Sequence, residues 1–378
     1  MPEERPLFIA HVIHHLQIGG LENGVVNLIN RMPRERFRHA VICIEDFSPQ
    51  FRQRIRTPGV EVYALQRSRI GVWRLRWRLW RLFRRLRPDI VHSRNLSGLD
   101  ALLPARLAGC HTVHSEHGFD VDNLHGQAAR PALLRRLHAP LVRGYVCVSQ
   151  DLHRLMTTQW GMRPAKVRQI YNGVDTERFT PAVPHRLDLL PEAWRASDPF
   201  VVGTVGRVQA VKDQATLLRA VAALLQRRPA LCERLRLVIV GDGPLLVELR
   251  AMAATLGLER NVWFTGARSD VAPLMQAFDL FVLTSLNEGI SNTLLEAMAT
   301  GLPLLATAVG GNVELLEEGV VGATFAPRDA ARLSTMIEAY ADNEALCVAH
   351  GAAARRRAVQ SFSLQAMVAG YAEVYQGL

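Results

Sequence analysis

Short apolar runs alternate with longer amphipathic stretches along the whole chain. The first half contains LFIAHVI, HAVICIE, VEVYAL, DIVHS, HTVHS and GYVCVS, and the second half contains FVVGTVG, LRLVIVG, NVWFTG, DLFVLTS, LPLLATA and GATFA. Each run has the length of a strand, and a stretch long enough for a helix separates most of them. This pattern is typical of parallel strands that helices bury on both faces. We therefore predict an α/β protein with two doubly wound, Rossmann-like domains.

One polar, proline-rich stretch interrupts the alternation. TERFTPAVPHRLDLLPEAWRASDP covers residues 176–199 and is typical of a linker. It would separate a first domain, residues 1–175, from a second domain, residues 200–362. The closing amphipathic segment, residues 363–378, is predicted to be a helix that docks on either domain, including a return to the first. Two doubly wound domains that face each other would hold a ligand in a cleft at the carboxyl ends of their strands.

The segment GVWRLRWRLWRLFRRLRP, residues 71–88, carries two apolar stripes instead of one. At about 100° per residue in a helix, the stripe that faces the core consists of Val72, Leu75, Leu79, Leu82, Phe83 and Leu86. The second stripe consists of Trp73, Trp77 and Trp80, and arginines border it. One stripe is enough to dock such a helix, so the tryptophans need another partner. Indoles beside guanidinium groups suit an anionic membrane surface, and the alternative is a neighbouring loop or subunit.

The composition is that of a globular protein with a basic surface. Of the 378 residues, 49% are hydrophobic and 21% are charged, a balance that forms cores and excludes extensive disorder. The formal net charge of +10 favours an anionic partner. The five cysteines include no CxxC pair, as expected for reduced thiols of a cytosolic protein. No signal peptide or membrane-spanning run is recognised, so we predict a cytoplasmic protein, soluble or peripheral on a membrane.

Two turns that follow predicted strands suit a phosphorylated ligand. In IGGLENG, Gly19 and Gly20 would let a ligand approach the backbone and the amides of the next helix. In VGRVQAVKD, Arg207 and Lys212 would clamp a diphosphate. Lys212 is informative because the chain contains only one other lysine, Lys166. The alternatives are an ordinary tight turn in the first case and a solvated turn in the second.

A third turn combines two carboxylates with a helix start. In SLNEGISNTLLEAMATGLP, Glu288 lies on the turn after the strand DLFVLTS, and Glu296 lies inside a helix predicted to run from about Asn292 to Thr300. Free amides at the helix start would bind an anion, with a carboxylate on each side to accept hydroxyl hydrogen bonds. A nucleoside diphosphate sugar has this chemistry. The alternative is a capping box, with Thr293 at the N-cap and Glu296 at the third helical position.

These motifs occur together in an order that resembles a known family. The GGLE turn, VGR followed by VKD, GDGP, VWFTG, EGISNTLLEAMATGLP and AVGGNVELL are arranged as in family 4 glycosyltransferases, which have the GT-B fold. The resemblance covers nearly the whole chain, and the second half is its most specific part. Through HSEHG and IYNGVDTERF the chain is similar to bacterial sugar transferases of exopolysaccharide or other cell-surface glycan assembly.

The resemblance implies a retaining transfer from a nucleotide diphosphate sugar, with no metal and no other cofactor. Glu288 would hold hydroxyls of the donor sugar and support developing positive charge, and Glu296 would bind the ribose. Arg207 and Lys212 would neutralise the leaving diphosphate. Ala267 and Arg268 would lie beside the base, whose identity the sequence leaves open. The remaining donor contacts would come from the Gly19 and Gly20 turn and from the amides of Gly289, Ile290, Ser291, Asn292, Thr293 and Leu294.

In the first predicted domain the resemblance marks HSEHG. His114 matches the position that contacts the donor sugar or assists the reaction, and Glu116 and His117 would lie on the acceptor side. The implied acceptor is a glycan or a lipid-linked glycan, which would bring the protein to the inner face of the cell membrane. The sugar, the acceptor and the linkage stay open.

Two other functions fit part of the sequence. A nucleotide-sugar epimerase of the same fold would need no acceptor, although the EGISNTLLE pattern favours a transferase. A nucleic-acid-binding protein would use the arginine-rich segment, yet it would leave the carboxylate pair and the glycine turns without a function, and no binding module is recognised. We therefore expect no nucleic-acid partner.

Overall fold

The computed structural model divides the chain into two compact units. Unit 1 comprises Met1–Gly173 and Leu364–Leu378, and unit 2 comprises Val174–Ser363. Each unit contains one sheet in which the strands run parallel, as the sequence predicts. The structure describes residues 5–17, 19–118, 129–181, 186–196 and 198–378.

Unit 1 is built on a sheet of seven strands. They are β1 (Leu7–Ile13), β2 (Phe37–Cys43), β3 (Glu61–Ala64), β4 (Ile90–Arg94), β5 (His111–Glu116), β6 (Gly144–Cys147) and β7 (Val167–Gln169). The strands lie in the order β3-β2-β1-β4-β5-β6-β7. The helices before residue 174 are α1 (Gly20–Arg31), α2 (Pro49–Arg52), α3 (Arg67–Leu86), α4 (Asn95–Gly98), α5 (Leu102–Leu107), α6 (Ala129–His138) and α7 (Gln150–Thr158).

Unit 2 is built on a sheet of six strands. They are β8 (Phe200–Val205), β9 (Leu235–Val240), β10 (Val262–Gly266), β11 (Leu280–Leu283), β12 (Leu304–Thr307) and β13 (Gly322–Phe325). The strands lie in the order β10-β9-β8-β11-β12-β13. The helices are α8 (Glu192–Arg195), α9 (Gln214–Arg227), α10 (Leu246–Thr255), α11 (Val271–Met275), α12 (Asn292–Thr300), α13 (Asn312–Leu315), α14 (Ala330–Ala341) and α15 (Glu344–Ser361).

The last helix, α16 (Leu364–Gln376), belongs to unit 1. Its Met367, Tyr371 and Tyr375 are buried in one cluster with Ile9 of β1 and Leu28 of α1. The chain therefore returns to the first unit, which decides between the two dockings that the sequence left open.

The segment predicted as a linker packs on unit 2. Trp194 is buried, and its Nε1 donates to the carbonyl oxygen of Arg260 at 3.1 Å. Arg186 forms an ion pair with Asp279 at 2.8 Å. Because these bonds anchor its described residues, the chain enters unit 2 at Val174 instead of near residue 200.

Helices cover both faces of the unit 1 sheet. Ile9 and Ile13 of β1 contribute to the clusters under α16 and α1, whereas Ala10 and Val12 belong to a separate cluster. That cluster contains the predicted core stripe of α3, in which Leu75, Leu79, Leu82 and Phe83 are buried. The alternation along β1 shows that α1 and α16 lie on one face and α3 on the other.

The order of the strands reverses once in each sheet. In unit 1 the reversal lies between β1 and β4, and in unit 2 it lies between β8 and β11. At such a point the connections leave in opposite directions and open a crevice at the carboxyl ends of the strands, where α/β proteins bind ligands. We call these two positions the switch points.

Candidate functional site

The switch point of unit 2 brings together two motifs that are far apart in sequence. The turn after β8 carries Lys212, and the segment after β11 carries Glu288. The Leu286 amide donates to the carbonyl oxygen of Val211 at 2.7 Å, and the Thr284 hydroxyl donates to the carbonyl oxygen of Lys212 at 2.8 Å. These bonds fix the two turns side by side, so that their side chains form one site.

Lys212 and Glu288 are in direct contact. The Lys212 Nζ lies 2.5 Å from the Glu288 Oε1, and the Ser285 hydroxyl donates to the same oxygen at 2.7 Å. Both side chains of the pair are mostly buried, with 20% of Lys212 and 11% of Glu288 exposed. The sequence analysis did not identify Ser285, because one serine after a strand carries no pattern. The pair is a charge-assisted hydrogen bond. A phosphate that entered the site would compete with Glu288 for the Lys212 ammonium group.

The backbone of Glu288 is held by a glycine in the AVGG motif. A Cβ at Gly310 would lie 1.8 Å from the carbonyl oxygen of Glu288, and the φ of Gly310 is +46°. No other residue type fits this approach without displacing the turn. Gly311 donates its amide to the same carbonyl oxygen at 3.3 Å. Gly310 therefore helps to fix the backbone from which the Glu288 carboxylate extends.

Helix α12 begins at Asn292 and ends at Thr300, as predicted. Its N-cap is Ser291, whose hydroxyl accepts from the Leu294 amide at 3.4 Å. The alternative capping box is wrong, because Leu294 occupies the third helical position and Glu296 lies farther into the helix. The Leu294 amide serves the cap, and the Asn292 and Thr293 amides belong to the first turn of the helix.

The other predicted donor contacts lie around the same edge of the sheet. Arg207 is exposed on the turn that carries Lys212, and its carbonyl oxygen accepts from Gln214 at 3.2 Å. Glu296 is half-buried on α12. Gly289 and Ile290 are buried between Glu288 and the helix. Their predicted roles stay predictions.

Ala267 and Arg268 follow β10, which lies two strands from β8. Ala267 is exposed. Arg268 donates to both carboxylate oxygens of Asp270, at 2.8 and 2.5 Å, and lies over the ring of Trp263. The hydrogen bond raises the pKa of Arg268 and lowers the pKa of Asp270. The predicted place of Ala267 and Arg268 beside the base stays a prediction.

At the switch point of unit 1, Gly19 is the N-cap of α1. A Cβ at Gly19 would lie 2.1 Å from a carboxylate oxygen of Glu22. The GGLE turn thus brings an acidic side chain against its own backbone. This use of Gly19 was not anticipated. The predicted contact of Gly19 and Gly20 with the donor stays a prediction.

His114 lies in the interior of unit 1. Only 1% of the residue is exposed. Its Nδ1 bonds the Ser93 hydroxyl at 2.8 Å, and its Nε2 bonds Glu116 at 3.1 Å. Both ring nitrogens are engaged with protein groups, and the predicted contact with the donor sugar stays a prediction.

Glu116 is also an interior group. Arg135 donates to its two oxygens at 2.6 and 3.0 Å, and Glu116 is fully buried. Burial raises its pKa, but the charge of Arg135 and the hydrogen bonds from His114 and Arg135 outweigh this effect and lower the pKa to about 2. Glu116 is thus held in the interior by Arg135, and its predicted place on the acceptor side stays a prediction.

His117 is partly exposed, unlike the other side chains of the HSEHG motif. Its Nε2 bonds the Ser115 hydroxyl at 2.8 Å, and its amide donates to Asn95 at 2.9 Å. Burial, together with the charge of Arg94, lowers the pKa of His117 to about 3. The ring is therefore neutral at physiological pH and suits a hydrogen bond to a hydroxyl group.

The strands next to the switch point of unit 1 carry a buried polar network that the sequence analysis missed. Arg94 is 2% exposed, and its Nη2 lies 3.0 Å from His11 and 3.2 Å from His92. The hydroxyl of Tyr375 bonds His92 at 2.7 Å, and the His11 ring bonds His39 at 3.0 Å. The sequence feature that could have indicated this network is the presence of histidines inside the apolar runs LFIAHVI and DIVHS.

The tryptophan stripe of α3 faces solvent. Trp73 is 81% exposed, Trp77 is 54% exposed and Trp80 is 38% exposed. No loop of the described residues covers them, so that packing alternative is wrong for this part of the chain. The helix begins at Arg67, before the predicted segment, and bends at Gly71, where φ is 72°.

Two absences apply to the described part of the chain. No three His, Cys, Asp or Glu side chains come together there as ligands for a metal ion. None of its helices is both long enough and apolar enough to traverse a bilayer. The expectation that the reaction needs no metal stays a prediction.

Comparison with known proteins agrees with this geometry. Residues 199–343 match the family described as Glycosyl transferases group 1, and residues 18–178 match Glycosyltransferase Family 4. D-inositol 3-phosphate glycosyltransferase from Streptomyces coelicolor is 31% identical over 76% of this chain and 68% of its own length. The chain therefore belongs to glycosyltransferase family 4.

Two further relatives span most of the chain. The UDP-Gal:alpha-D-GlcNAc-diphosphoundecaprenol alpha-1,3-galactosyltransferase of Escherichia coli is 28% identical over 80% of both chains. Among solved structures, Anabaena HepE in complex with UDP has a TM-score of 0.83 at 24% identity and covers 98% of this chain and 100% of its own. This likeness confirms the GT-B class of fold.

Proposed function

We propose that this protein transfers a sugar, with retention of configuration and without a metal ion, from a UDP-sugar to a lipid-linked glycan or another glycan. Cell-surface polysaccharide assembly at the cytoplasmic face of the membrane is the proposed setting. The names of the relatives support the donor and the acceptor, because the E. coli enzyme is named for UDP-Gal and a diphosphoundecaprenol glycan. The Bacillus subtilis relative EpsF is named a putative glycosyltransferase. UDP was the nucleotide bound to HepE.

The observation that carries the proposal is the contact of Lys212 with Glu288 beside the start of α12. A cation, a carboxylate and the amides at a helix start lie together at a switch point, where doubly wound sheets bind ligands. A nucleoside diphosphate sugar offers a partner to each of them. The diphosphate takes the cation and the amides, and the sugar hydroxyls take the carboxylate.

The cations act on the leaving group. As the bond between the anomeric carbon and the β-phosphate oxygen breaks, its electrons go to the phosphate oxygen and negative charge grows there. Lys212, Arg207 and the amides at the start of α12 stabilise this charge. Such donors contribute to rate because they stabilise the transition state more than the bound substrate.

Glu288 acts on the sugar. The anomeric carbon gains positive charge as the leaving group departs, and a carboxylate held nearby stabilises it. The bonds from Lys212 and Ser285 fix one Glu288 oxygen, which leaves the other to accept from a sugar hydroxyl. The oxygen of the acceptor hydroxyl then bonds to the anomeric carbon, and its proton passes to the departing β-phosphate oxygen.

In unit 1, His117 is the residue of HSEHG that we assign to a substrate hydroxyl. It is partly exposed, and its ring is neutral at physiological pH. His114 and Glu116 support it from the interior as positioning residues. Their pairing with Ser93 and Arg135 orders the end of β5, from which His117 projects.

The first test is a thermal-shift series with UDP, GDP and ADP. A ligand that binds only the folded state raises the melting temperature, and we expect the largest rise with UDP. No rise with any of the three would contradict the donor site. A larger rise with GDP or ADP would show that the donor carries a different base, and the assignment of the donor site would still hold.

The second test is Glu288→Gln. We expect sugar transfer to fall by at least ~10²-fold, while UDP still raises the melting temperature. Glu248→Gln, an exposed substitution on α10, is the matched control and should transfer normally. Transfer at the wild-type rate by Glu288→Gln would remove the assigned role. The anomeric configuration of the product, read by NMR, and the rate in the presence of EDTA test retention and independence of metal.

A further inference from the structure

Among the residues that the structure describes, the exposed aromatic and leucine side chains are concentrated on three helices. Trp73, Trp77 and Trp80 lie on α3, and the most exposed leucines are Leu107 on α5 and Leu137 on α6, each 65% exposed. In unit 2 the large exposed hydrophobic side chains among the described residues are valines. Exposed apolar groups gathered on one part of a molecule mark an interaction surface, whereas scattered ones do not.

The three helices cover the same face of the unit 1 sheet. Helices α3 and α5 pack in one cluster with Val91 of β4. Ser93 follows Val91 by two positions and therefore points to the same face, and it pairs in register with His114. His114 shares that face with Glu116, which binds Arg135 of α6. The exposed side chains of α3, α5 and α6 therefore form one side of the unit, which we call the basic-aromatic surface.

This surface is uniformly basic. None of the three helices contains an aspartate or a glutamate. Asp100, next to α5, is neutralised by Arg76 at 2.9 Å and Arg67 at 3.6 Å. The indoles and guanidinium groups interleave, with Arg76 5.5 Å from the Trp73 ring centroid and Arg81 4.7 Å from that of Trp77.

We propose that the basic-aromatic surface docks on an anionic lipid bilayer. Tryptophan side chains prefer the level of the lipid headgroups, because the indole is apolar with one polar group. Arginines beside them would pair with lipid phosphates while their stems stay in the apolar layer. The geometry needs no membrane-spanning segment, since an amphipathic helix lies in the plane of the interface.

A bilayer fits this surface better than a nucleic acid does. Arginine and tryptophan also occur where proteins bind single strands, by phosphate pairing and base stacking. The exposed leucines of α5 and α6 have no such use, because an aliphatic side chain offers no stacking surface. They are useful where a hydrocarbon layer receives them.

The experiment is flotation with vesicles of phosphatidylcholine alone and of phosphatidylcholine with phosphatidylglycerol. We expect the wild-type protein to float with the anionic vesicles and to stay at the bottom with the neutral ones. Raising the salt concentration should weaken the binding, because the pairing with phosphates is screened.

Two variants of the basic-aromatic surface test its tryptophans and its arginines separately. The variant Trp73→Ala, Trp77→Ala, Trp80→Ala should reduce partition into anionic vesicles by at least ~10-fold. The variant Arg74→Gln, Arg78→Gln, Arg81→Gln should reduce it by about 10²-fold at low salt. These side chains are exposed, so both variants should fold, which circular dichroism and the UDP-induced melting shift would verify.

Matched controls are available in unit 2. Val247→Ala, Val348→Ala, Val359→Ala removes three exposed apolar side chains, and Arg219→Gln, Arg332→Gln, Arg356→Gln removes the same number of exposed positive charges. Both controls should float like the wild type. A loss as large in the arginine control would show that total charge, and not this surface, binds the vesicles.

Two results would overturn the proposal. One is equal flotation of the wild-type protein and both surface variants. The other is a salt-dependent gel shift with nucleic acid that the arginine variant abolishes, without vesicle binding by the wild type. Flotation involves no sugar donor, so its failure leaves the proposed transfer reaction intact. Loss of activity in the Glu288 variant likewise leaves the membrane proposal intact.

Discussion

The two units share a topology, but the charged and histidine side chains next to their switch points lie in different layers. In unit 1, His11, His92 and Arg94 lie inside the strands, where they are fully or almost fully buried. In unit 2, strand β11 flanks the switch point and is apolar throughout. The charged groups Lys212 and Glu288 lie in the turns that follow β8 and β11. A polar group inside a strand must find its partners within the fold, because water cannot reach it.

Because of this difference, we expect substitutions near the switch point of unit 2 to change activity more than stability. Substitutions near the switch point of unit 1 should change both. A substitution in a turn of unit 2 removes a ligand contact and leaves the sheet intact. A substitution in the interior of unit 1 leaves a buried partner without its hydrogen bond. Eleven of the thirteen histidines precede residue 174 and belong to unit 1, so this unit also carries most of the side chains whose pKa in an unfolded chain is close to neutral pH.

The largest expected effect is selective acid unfolding of unit 1. Burial, together with the charge of Arg94, lowers the pKa of His39 to about 4, and that of His117 to about 3. Burial also lowers the pKa values of His11 and His92. The unfolded chain therefore binds more protons than the folded one once the pH falls below about 6.5. Stability is fully present above that pH and is lost by about 1.4 kcal/mol per pH unit for each such histidine.

The measurement is pulse-labelling hydrogen exchange at a fixed labelling pH after equilibration between pH 7 and pH 4. Peptides of unit 1 should lose protection at a higher pH than peptides of unit 2. Simultaneous loss in both units would contradict the comparison.

The next effect in size concerns the buried ion pair of unit 1. Arg135→Met leaves the fully buried Glu116 without its cation, and we expect it to lower the free energy of unfolding by about 3–5 kcal/mol. Urea denaturation followed by the fluorescence of Trp160, which lies 4.2 Å from the Arg135 guanidinium, would measure this loss.

The matched variant in unit 2 is Lys212→Met, which also removes the cation of an ion pair. We expect a smaller stability loss than for Arg135→Met, because the Lys212 pair is less completely buried and Ser285 still donates to the Glu288 carboxylate. Sugar transfer should nevertheless fall steeply. Equal stability losses in the two variants would mean that the units do not differ in this way.

The smallest effect concerns the bond that joins α16 to the sheet. Tyr375→Phe keeps the ring in its cluster and removes only the hydroxyl that bonds His92. We expect a loss of about 1 kcal/mol in the free energy of unfolding. Tyr371→Phe, in the same helix, is the control. If it destabilises the protein as much as Tyr375→Phe, the hydrogen bond to His92 is not the cause.

The periodicity of the sequence was sufficient to predict the layers of the fold. The stretches LFVL of β11 and LVIV of β9 are apolar throughout because both faces of the sheet are covered, and this property is visible residue by residue. The stripe of Trp73, Trp77 and Trp80 was equally visible, since helical geometry alone separates it from the core stripe. Local patterns succeed where the physical cause is also local.

The partners of buried polar groups could not be predicted in this way. His114 and His117 are three residues apart in one motif, yet one is interior and the other partly exposed. The N-cap of α12 fell on Ser291 and not on Thr293, because the backbone of the preceding turn decides which hydroxyl reaches the Leu294 amide. Ser285 became a partner of Glu288 only where the chain turned back on itself.

The sequence by itself determined that this chain forms two parallel α/β sheets, that α12 begins at Asn292 and that α3 carries a second, tryptophan stripe. Only the tertiary structure decided that Lys212 meets Glu288 across 76 residues and that Tyr375 meets His92 across 283. Periodicity reports which side of an element is apolar, because burial depends on composition along that side. Hydrogen-bond partners depend on the order and register of strands, which no single stretch of sequence contains.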